Sequence, residues 1–104
     1  MTVRILRRLK AAQDAEEIAD YIASDSLNAA IRFLENTELT LQRLAVAPNT
    51  GSLFESDQPE LANLRYRRVI GFPNHVIFYF VRKQAIEVVR ILHGARDIEA
   101  ELEK

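Results

Sequence analysis

The stretch His75–Asp97, HVIFYFVRKQAIEVVRILHGARD, decides the fold. Val76 to Val81 is an unbroken apolar run with no charge. Runs of this kind form strands covered on both faces, and this one is too short for a typical helix. Ile86 to Leu92 repeats the composition, with Glu87 and Arg90 admitted. Arg82-Lys83-Gln84 between them is polar and short enough for a tight hairpin, although it lacks an Asn-Gly pair. The middle of a sheet is expected here, and the upstream residues must cover it.

Working outward, the flanks supply that cover. Arg65 to Ile70 alternates, with Tyr66, Arg68 and Ile70 on one side and Arg65, Arg67 and Val69 on the other. It reads as a strand that turns through Gly71-Phe72-Pro73-Asn74 into the central one. Pro48 to Leu64 holds two prolines, Gly51 and several turn formers, so a loop is expected, with room for one helical turn. Leu53, Phe54 and Leu61 are its expected anchors. Before it, Leu27 to Ala47 has helical period, with Ala30, Phe33, Leu34, Thr37, Leu41 and Leu44 as the buried stripe and Pro48 as the stop. Ala11, Ala15, Ile18, Ala19 and Ile22 mark an earlier helix from Lys10, with Asp14, Glu16, Glu17 and Asp20 turned away. Ser24-Asp25-Ser26 joins the two as an antiparallel hairpin, and Ser26 or Asp25 caps the second. Val3 to Leu9 reads as an edge strand. Gly94 ends the last strand, and Asp97 or Arg96 opens a short terminal helix with Ile98 and Leu102 inward. The expected fold is α+β: an N-terminal strand, a helical hairpin packed on a small twisted antiparallel sheet (β-α-α-β-β-β), and a short C-terminal helix.

Size and composition bound the function. A chain of 104 residues, 48% apolar, is read as one domain over residues 1–104 with a thin but real core. No apolar run has the length needed to span a bilayer, and MTVRILRRLKAAQ carries no apolar segment of a signal peptide, so a soluble protein with no membrane partner is expected. The absence of cysteine excludes disulfides and thiolate chemistry and fits a reducing cytoplasm. With only His75 and His93, and no carboxylate spaced to join them, neither a metal nor a cofactor is expected.

The net charge of −1 hides a segregation. Arg4, Arg7, Arg8 and Lys10 crowd the first ten residues, and residues 11–60 are acidic apart from Arg32 and Arg43. Residues 61–96 are basic apart from Glu87, and the tail returns to acid with Asp97, Glu99, Glu101 and Glu103. Two readings are open. Either a basic sheet carried on acidic helices meets an anionic partner, or the two halves pair with each other. Arg65, Arg67 and Arg68 argue for the first, because three guanidinium groups in four residues repel one another unless something negative is gripped.

A set of motifs now stands in order: D-Y-I-A-S-D at the end of the first helix, P-N-T-G, N-L-R-Y-R-R-V, H-V-I-F-Y-F-V, and V-V-R-I-L-H-G-A-R-D. Together they resemble the ParE branch of the RelE/ParE superfamily, the toxins of bacterial type II toxin–antitoxin pairs. The resemblance covers nearly the whole chain, and I-L-H-G-A-R-D at Ile91 to Asp97 is its most specific part. It implies a helical hairpin on a small antiparallel sheet, and an antitoxin that wraps the toxin in a hetero-oligomer. It also implies a target in replication or translation: DNA gyrase for the ParE branch, messenger RNA on the ribosome for the RelE branch.

Three activities follow as expectations. The first is a non-hydrolytic, growth-inhibiting toxin that binds a protein such as gyrase, with Arg65, Arg67, Arg68, Arg90 and Arg96 as target- or phosphate-binding residues. The second is a metal-independent endoribonuclease, needing a base, an acid and cations on the phosphate. His93, Arg67 and Tyr79 are its candidate catalytic residues, with Arg65 and Arg90 as clamps. Against it, the Pro48–Leu64 loop holds no lysine or arginine, no tyrosine follows Arg96, and the bland role of His93 is to satisfy backbone before Gly94. The third is a non-toxic module that only binds antitoxin. For the antitoxin itself, Tyr21, Leu27, Phe54 and Phe72 are the candidate contacts, as apolar groups left over once the core is filled.

Overall fold

A computed structural model describes residues 2–103. Strand β1 (Arg4–Arg7) leads into helices α1 (Leu9–Ala23) and α2 (Leu27–Val46). A loop carries the two-residue strand β2 (Ser52–Leu53) between single helical turns at Pro48–Thr50 and Pro59–Leu61. Strands β3 (Arg65–Val69), β4 (Phe72–Arg82) and β5 (Ala85–His93) follow, then helix α3 (Ile98–Leu102). The five strands form one sheet in the order β1-β5-β4-β3-β2. β1 runs parallel to β5, and the other pairs are antiparallel. The sheet is therefore mixed, where an antiparallel one was expected.

The central run behaves as its composition demands. Ile77 and Tyr79 face the helical hairpin and pack with Phe33, Leu41, Leu44, Ile86, Val88 and Ile91. Val76, Phe78 and Phe80 face the other way, beside Val89 and Leu92 of β5, where Leu61 and Leu64 and then Ile98 and Leu102 of α3 pack with them. Both faces of β4 are thus dry from Val76 to Phe80, and Val81 lies beyond the cover, more than a third exposed. The register slips between Phe78↔Arg90 and Tyr79↔Val88, which leaves Val89 as the extra residue of a bulge in β5. The hairpin turn reduces to Lys83-Gln84, and Gln84 takes φ +58 without being glycine.

The helices also follow from their sequence, with two corrections. Ser26 caps α2 by accepting from the Ala29 N–H at 3.1 Å, as expected. Ala30, Phe33, Thr37, Leu41 and Leu44 are buried, and Thr40 and Ala45 join them. Leu34 is not part of that stripe; it is 43% exposed, on the flank of the helix. Asp14, expected to face solvent, is only 8% exposed. The polar residues of α2 have work at the end of β3. Asn36 donates to the Ile70 carbonyl at 2.9 Å, and the Thr40 hydroxyl accepts the Ile70 N–H at 3.0 Å. These bonds satisfy backbone just where the strand turns through Gly71, whose φ of +76 favours glycine.

Candidate functional site

The outer edge of the sheet is where the arginines of β3 sit. β2 covers only Arg65 and Tyr66 of that strand, through the pairs Leu53↔Arg65 and Ser52↔Tyr66. Beyond Tyr66, β3 is the sheet's edge. Strand alternation sends Arg65 and Arg67 to the hairpin side, opposite Tyr79 and Ile77, and sends Tyr66 and Arg68 to the other, opposite Phe78 and Val76. The Arg65 guanidinium donates to the carbonyls of Asn49 and Gly51, at 3.0 and 2.7 Å. Arg67 donates to the Thr50 hydroxyl at 2.9 Å. Arg68 is exposed and has no hydrogen-bond or ion-pair partner among the described residues. The three therefore share an edge but not a face.

Tyr79 explains how the loop is held to that edge. Its ring is fully buried, and its hydroxyl donates to the Pro48 carbonyl at 2.7 Å while accepting the Gly51 N–H at 3.0 Å. Gly51 approaches so closely that an added Cβ would lie 2.8 Å from ring carbon Cε1, so only glycine fits. Burial pushes the Tyr79 hydroxyl up from its usual range, against the opposing pull of the Gly51 N–H and the Arg65 and Arg67 charges. A buried, protonated phenol with both bonds made to backbone is an anchor, not an accessible orienting hydroxyl. Leu53, one of the expected anchors, is instead more than half exposed.

Arg90 stands apart from the arginine edge. It is 7% exposed and forms a two-pronged pair with Asp14, Nε to Oδ2 at 2.7 Å and Nη2 to Oδ1 at 2.9 Å. Its third donor meets the Glu101 carbonyl at 2.7 Å. Asp14 also accepts the Ile91 N–H at 3.0 Å. This bond has a topological cause: β1 covers β5 only as far as Val88, so the backbone beyond needs another acceptor. The Asp14 carboxylate holds the Arg90 proton more firmly than water would. The sequence placed Arg90 among exposed phosphate clamps; burial and pairing remove it from that set. Arg96 reaches Glu101 at 3.2 Å, and Arg7 pairs with Glu38 and Arg8 with Glu87 elsewhere. Much of the basic charge is thus answered within the chain.

His93 is exposed, and its Nδ1 accepts the Ala95 N–H at 3.0 Å, the backbone-satisfying role in the turn. Its ring stands edge-on to His75 at 5.3 Å, and His75 in turn meets Phe33 at 5.3 Å. His75 keeps a buried Nδ1 with no partner among the described residues, and burial, then His93, lowers its pKa from the usual 6.5. His93 stands apart from the other two candidates, at the end of β5 and two strands from Arg67, whereas the Arg67 charge reaches the Tyr79 hydroxyl, which is itself buried.

A groove of about 690 Å³ runs between α1 and the uncovered end of β5, lined by Lys10, Glu17, Ile18, Tyr21, His75 and His93 among others. Tyr21 is 79% exposed on its wall, and Leu27 is 67% exposed at the start of α2. Of the four apolar candidates for a partner, these two are free. Phe54 and Phe72 are half-buried, each edge-on to a core ring, Phe78 at 5.8 Å and Phe33 at 5.3 Å. No helix among the described residues is long and apolar enough to cross a membrane.

Asp14, Thr50, Ser52 and Tyr66 are the site residues that sequence reasoning passed over. Asp14 left a readable signal: it lies three residues after Ala11 and four before Ile18, on the buried stripe of α1.

The family model for the ParE toxin of the type II toxin–antitoxin system, parDE, matches residues 5–98. The chain belongs to the ParE toxin family. Among solved structures, it is similar to a chain of the chromosomal ParDE toxin–antitoxin system from P. aeruginosa, with a TM-score of 0.70 and 19% identity over 88% of this chain and 96% of that one. At that identity the likeness shows the fold. No curated protein sequence matches. The ParE fold accounts for the N-terminal strand, the helical hairpin, the five-stranded sheet and the short last helix.

Proposed function

We propose that this ParE-family chain arrests growth by binding a replication target such as DNA gyrase, and is silenced in the cytoplasm by a cognate antitoxin. Membership of the family over residues 5–98 carries the reading. The exposed edge of β3 supports it, offering Arg67 and Arg68 to an acidic partner surface. The separation of His93 from Arg67 and the burial of the Tyr79 hydroxyl favour a binding toxin over ribosome-dependent cleavage. For the antitoxin, the groove beside α1 is the proposed seat. Tyr21 presents unburied apolar area on its wall, of the kind an amphipathic helix covers, and Leu27 adds exposed apolar area at the start of α2.

Induced expression without a neighbouring antitoxin gene should stop growth, and co-expression should restore it. Purified protein should inhibit gyrase supercoiling at micromolar concentration. Unimpaired supercoiling with growth arrest intact would move the target elsewhere. Unaffected growth would leave a module that only binds antitoxin.

A further inference from the structure

Two adjoining hollows flank the uncovered edge of β3. One, about 410 Å³, lies on the sheet face away from the hairpin and is lined by Leu53, Phe54, Tyr66 and Phe78, together with the charged Arg68 and Glu55. Phe54 stands edge-on to Phe78 at 5.8 Å, and Tyr66 tilts against the same ring at 6.1 Å. The other hollow, about 240 Å³, is polar: Thr50, Ser52, Arg67 and Arg68 line it. Tyr66 and Arg68 belong to both. The arrangement follows from the shortness of β2. Pairing stops at Ser52↔Tyr66, so arginines from opposite faces of the strand reach round one edge.

We propose that this edge binds a nucleotide unit, with the base in the aromatic hollow against Tyr66 and the phosphate in the polar one between Arg67 and Arg68. Either hollow alone would suit a simpler ligand, an anion or an apolar side chain. Side by side, they match a flat ring carrying an anion. Aromatic platforms beside a basic track are how single nucleotides and unpaired strands are held, since every base offers a π-face. Arg67 is already oriented by its bond to Thr50, and Arg68 has all its donors free among the described residues. Planar guanidinium groups match phosphate oxygens in pairs. Glu55 fixes the polarity. Its carboxylate repels a phosphate from the aromatic hollow and accepts from an exocyclic amine, which favours guanine, adenine or cytosine over uracil or thymine. The nucleotide belongs either to a free small molecule or to an unpaired strand. The inference shares its arginines with the target-binding edge proposed above, yet it stands whether or not gyrase is the target.

The test is a titration of the ¹⁵N-labelled full chain, followed through its amide resonances. The probes are guanosine monophosphate, guanosine, inorganic phosphate and a short single-stranded oligonucleotide. Shifts at Ser52, Tyr66 and Arg68 are expected with the nucleotide, with guanosine and phosphate each at least tenfold weaker. Arg68→Ala and Tyr66→Leu should each weaken binding tenfold or more while the Ile86 and Val88 amides keep their positions. An oligonucleotide binding tenfold tighter than the monophosphate assigns the edge to a strand; equal affinity assigns it to the free nucleotide. Phosphate matching the nucleotide, an acidic aromatic peptide displacing it at equal concentration, or no shift at millimolar nucleotide would each overturn the proposal. Growth arrest and supercoiling are scored separately, so this result and the proposed toxicity fail independently.

Discussion

Arg90 and the arginines of β3 are the same side chain on strands of the same sheet, yet the fold uses them in opposite ways. Arg90 lies where water is excluded and a carboxylate, Asp14, arrives from α1 with both oxygens in place. At the β3 edge no carboxylate pairs with the arginines among the described residues. Arg65 settles for two loop carbonyls, Arg67 for one hydroxyl, and Arg68 for nothing among the described residues. A buried guanidinium must be answered internally, because an unpaired charge in a dry interior costs several kcal/mol. An exposed one needs no answer and keeps its donors for a partner. Sequence proximity, which grouped Arg90 with Arg65, carries no information on that distinction.

The contrast breaks most sharply at Asp14. Asp14→Ala leaves Arg90 with only the Glu101 carbonyl and, at 4.0 Å, its carboxylate, and leaves the Ile91 N–H without its acceptor. The cost in stability should therefore fall toward the lower end of about 3–5 kcal/mol. That is a large share of the 5–15 kcal/mol typical of a domain. Urea denaturation at neutral pH would read it as a lowered midpoint. Replacing both partners, Asp14→Leu with Arg90→Met, should recover most of the loss, since a well-packed apolar pair often equals a buried ion pair. A single variant as stable as the parent would show that the pair is not desolvated.

Tyr79 tests how far the β3 edge depends on its own buried anchor. Tyr79→Phe keeps the ring but leaves the Gly51 N–H without an acceptor and the Pro48 carbonyl without its donor. The expected cost is about 1–3 kcal/mol. Amide exchange at Gly51 should quicken, and the Thr50 hydroxyl that steadies Arg67 should lose its fixed place. Unchanged exchange would mean that Pro48–Thr50 is held without the Tyr79 hydroxyl, by bonds such as that of Arg65 to the Asn49 carbonyl.

Acid provides a milder probe, at the end of β5 rather than its middle. Burial and the neighbouring His93 lower the His75 pKa below 6.5, so the unfolded chain takes up this proton before the folded one does. Stability should therefore be flat above about pH 6.5 and fall as pH drops toward the folded-state value. His75→Phe, which can still meet the Phe33 ring, should remove this part of the slope. A separate loss belongs below pH 4.5, where Glu87, held low by Arg8 and Arg82, and Glu38, held low by Arg7, take up protons. An undiminished slope between pH 6.5 and 5 in the variant would exclude His75 as its source.

These particulars also mark how much of the molecule was readable in advance. The apolar run at Val76, the helical stripe of α2 and the caps at Ser26 and Asp97 are local properties, and the fold shows each of them. β2 is two exposed residues with no period to detect; it exists because Tyr79 draws Gly51 against the sheet. The parallel pairing of β1 joins the chain's start to its last strand, and the Asp14–Arg90 pair spans 76 positions, so both are products of topology. Arg65, Arg67 and Arg68 were visible as a cluster, but their division between two faces follows from strand alternation at an edge. The hollows beside them needed the position where β2 stops.

The smallest expected effect on stability is the most informative counterpart to Asp14. Arg68→Ala removes a side chain that is exposed and makes no bond within the described chain, so stability should stay within about 0.5 kcal/mol of the parent. Growth arrest should nevertheless weaken, because the group lost is one that only a partner can answer. Arg90→Ala should do the reverse in kind, losing function only in proportion to folded protein. Comparing toxicity with soluble, folded yield for the two variants separates these outcomes. If Arg68→Ala were fully toxic and fully stable, the free guanidinium would be surface charge and nothing more. If toxicity and stability fell together, the edge would depend on an internal contact, and burial would no longer divide the arginines that build this fold from those that act on something else.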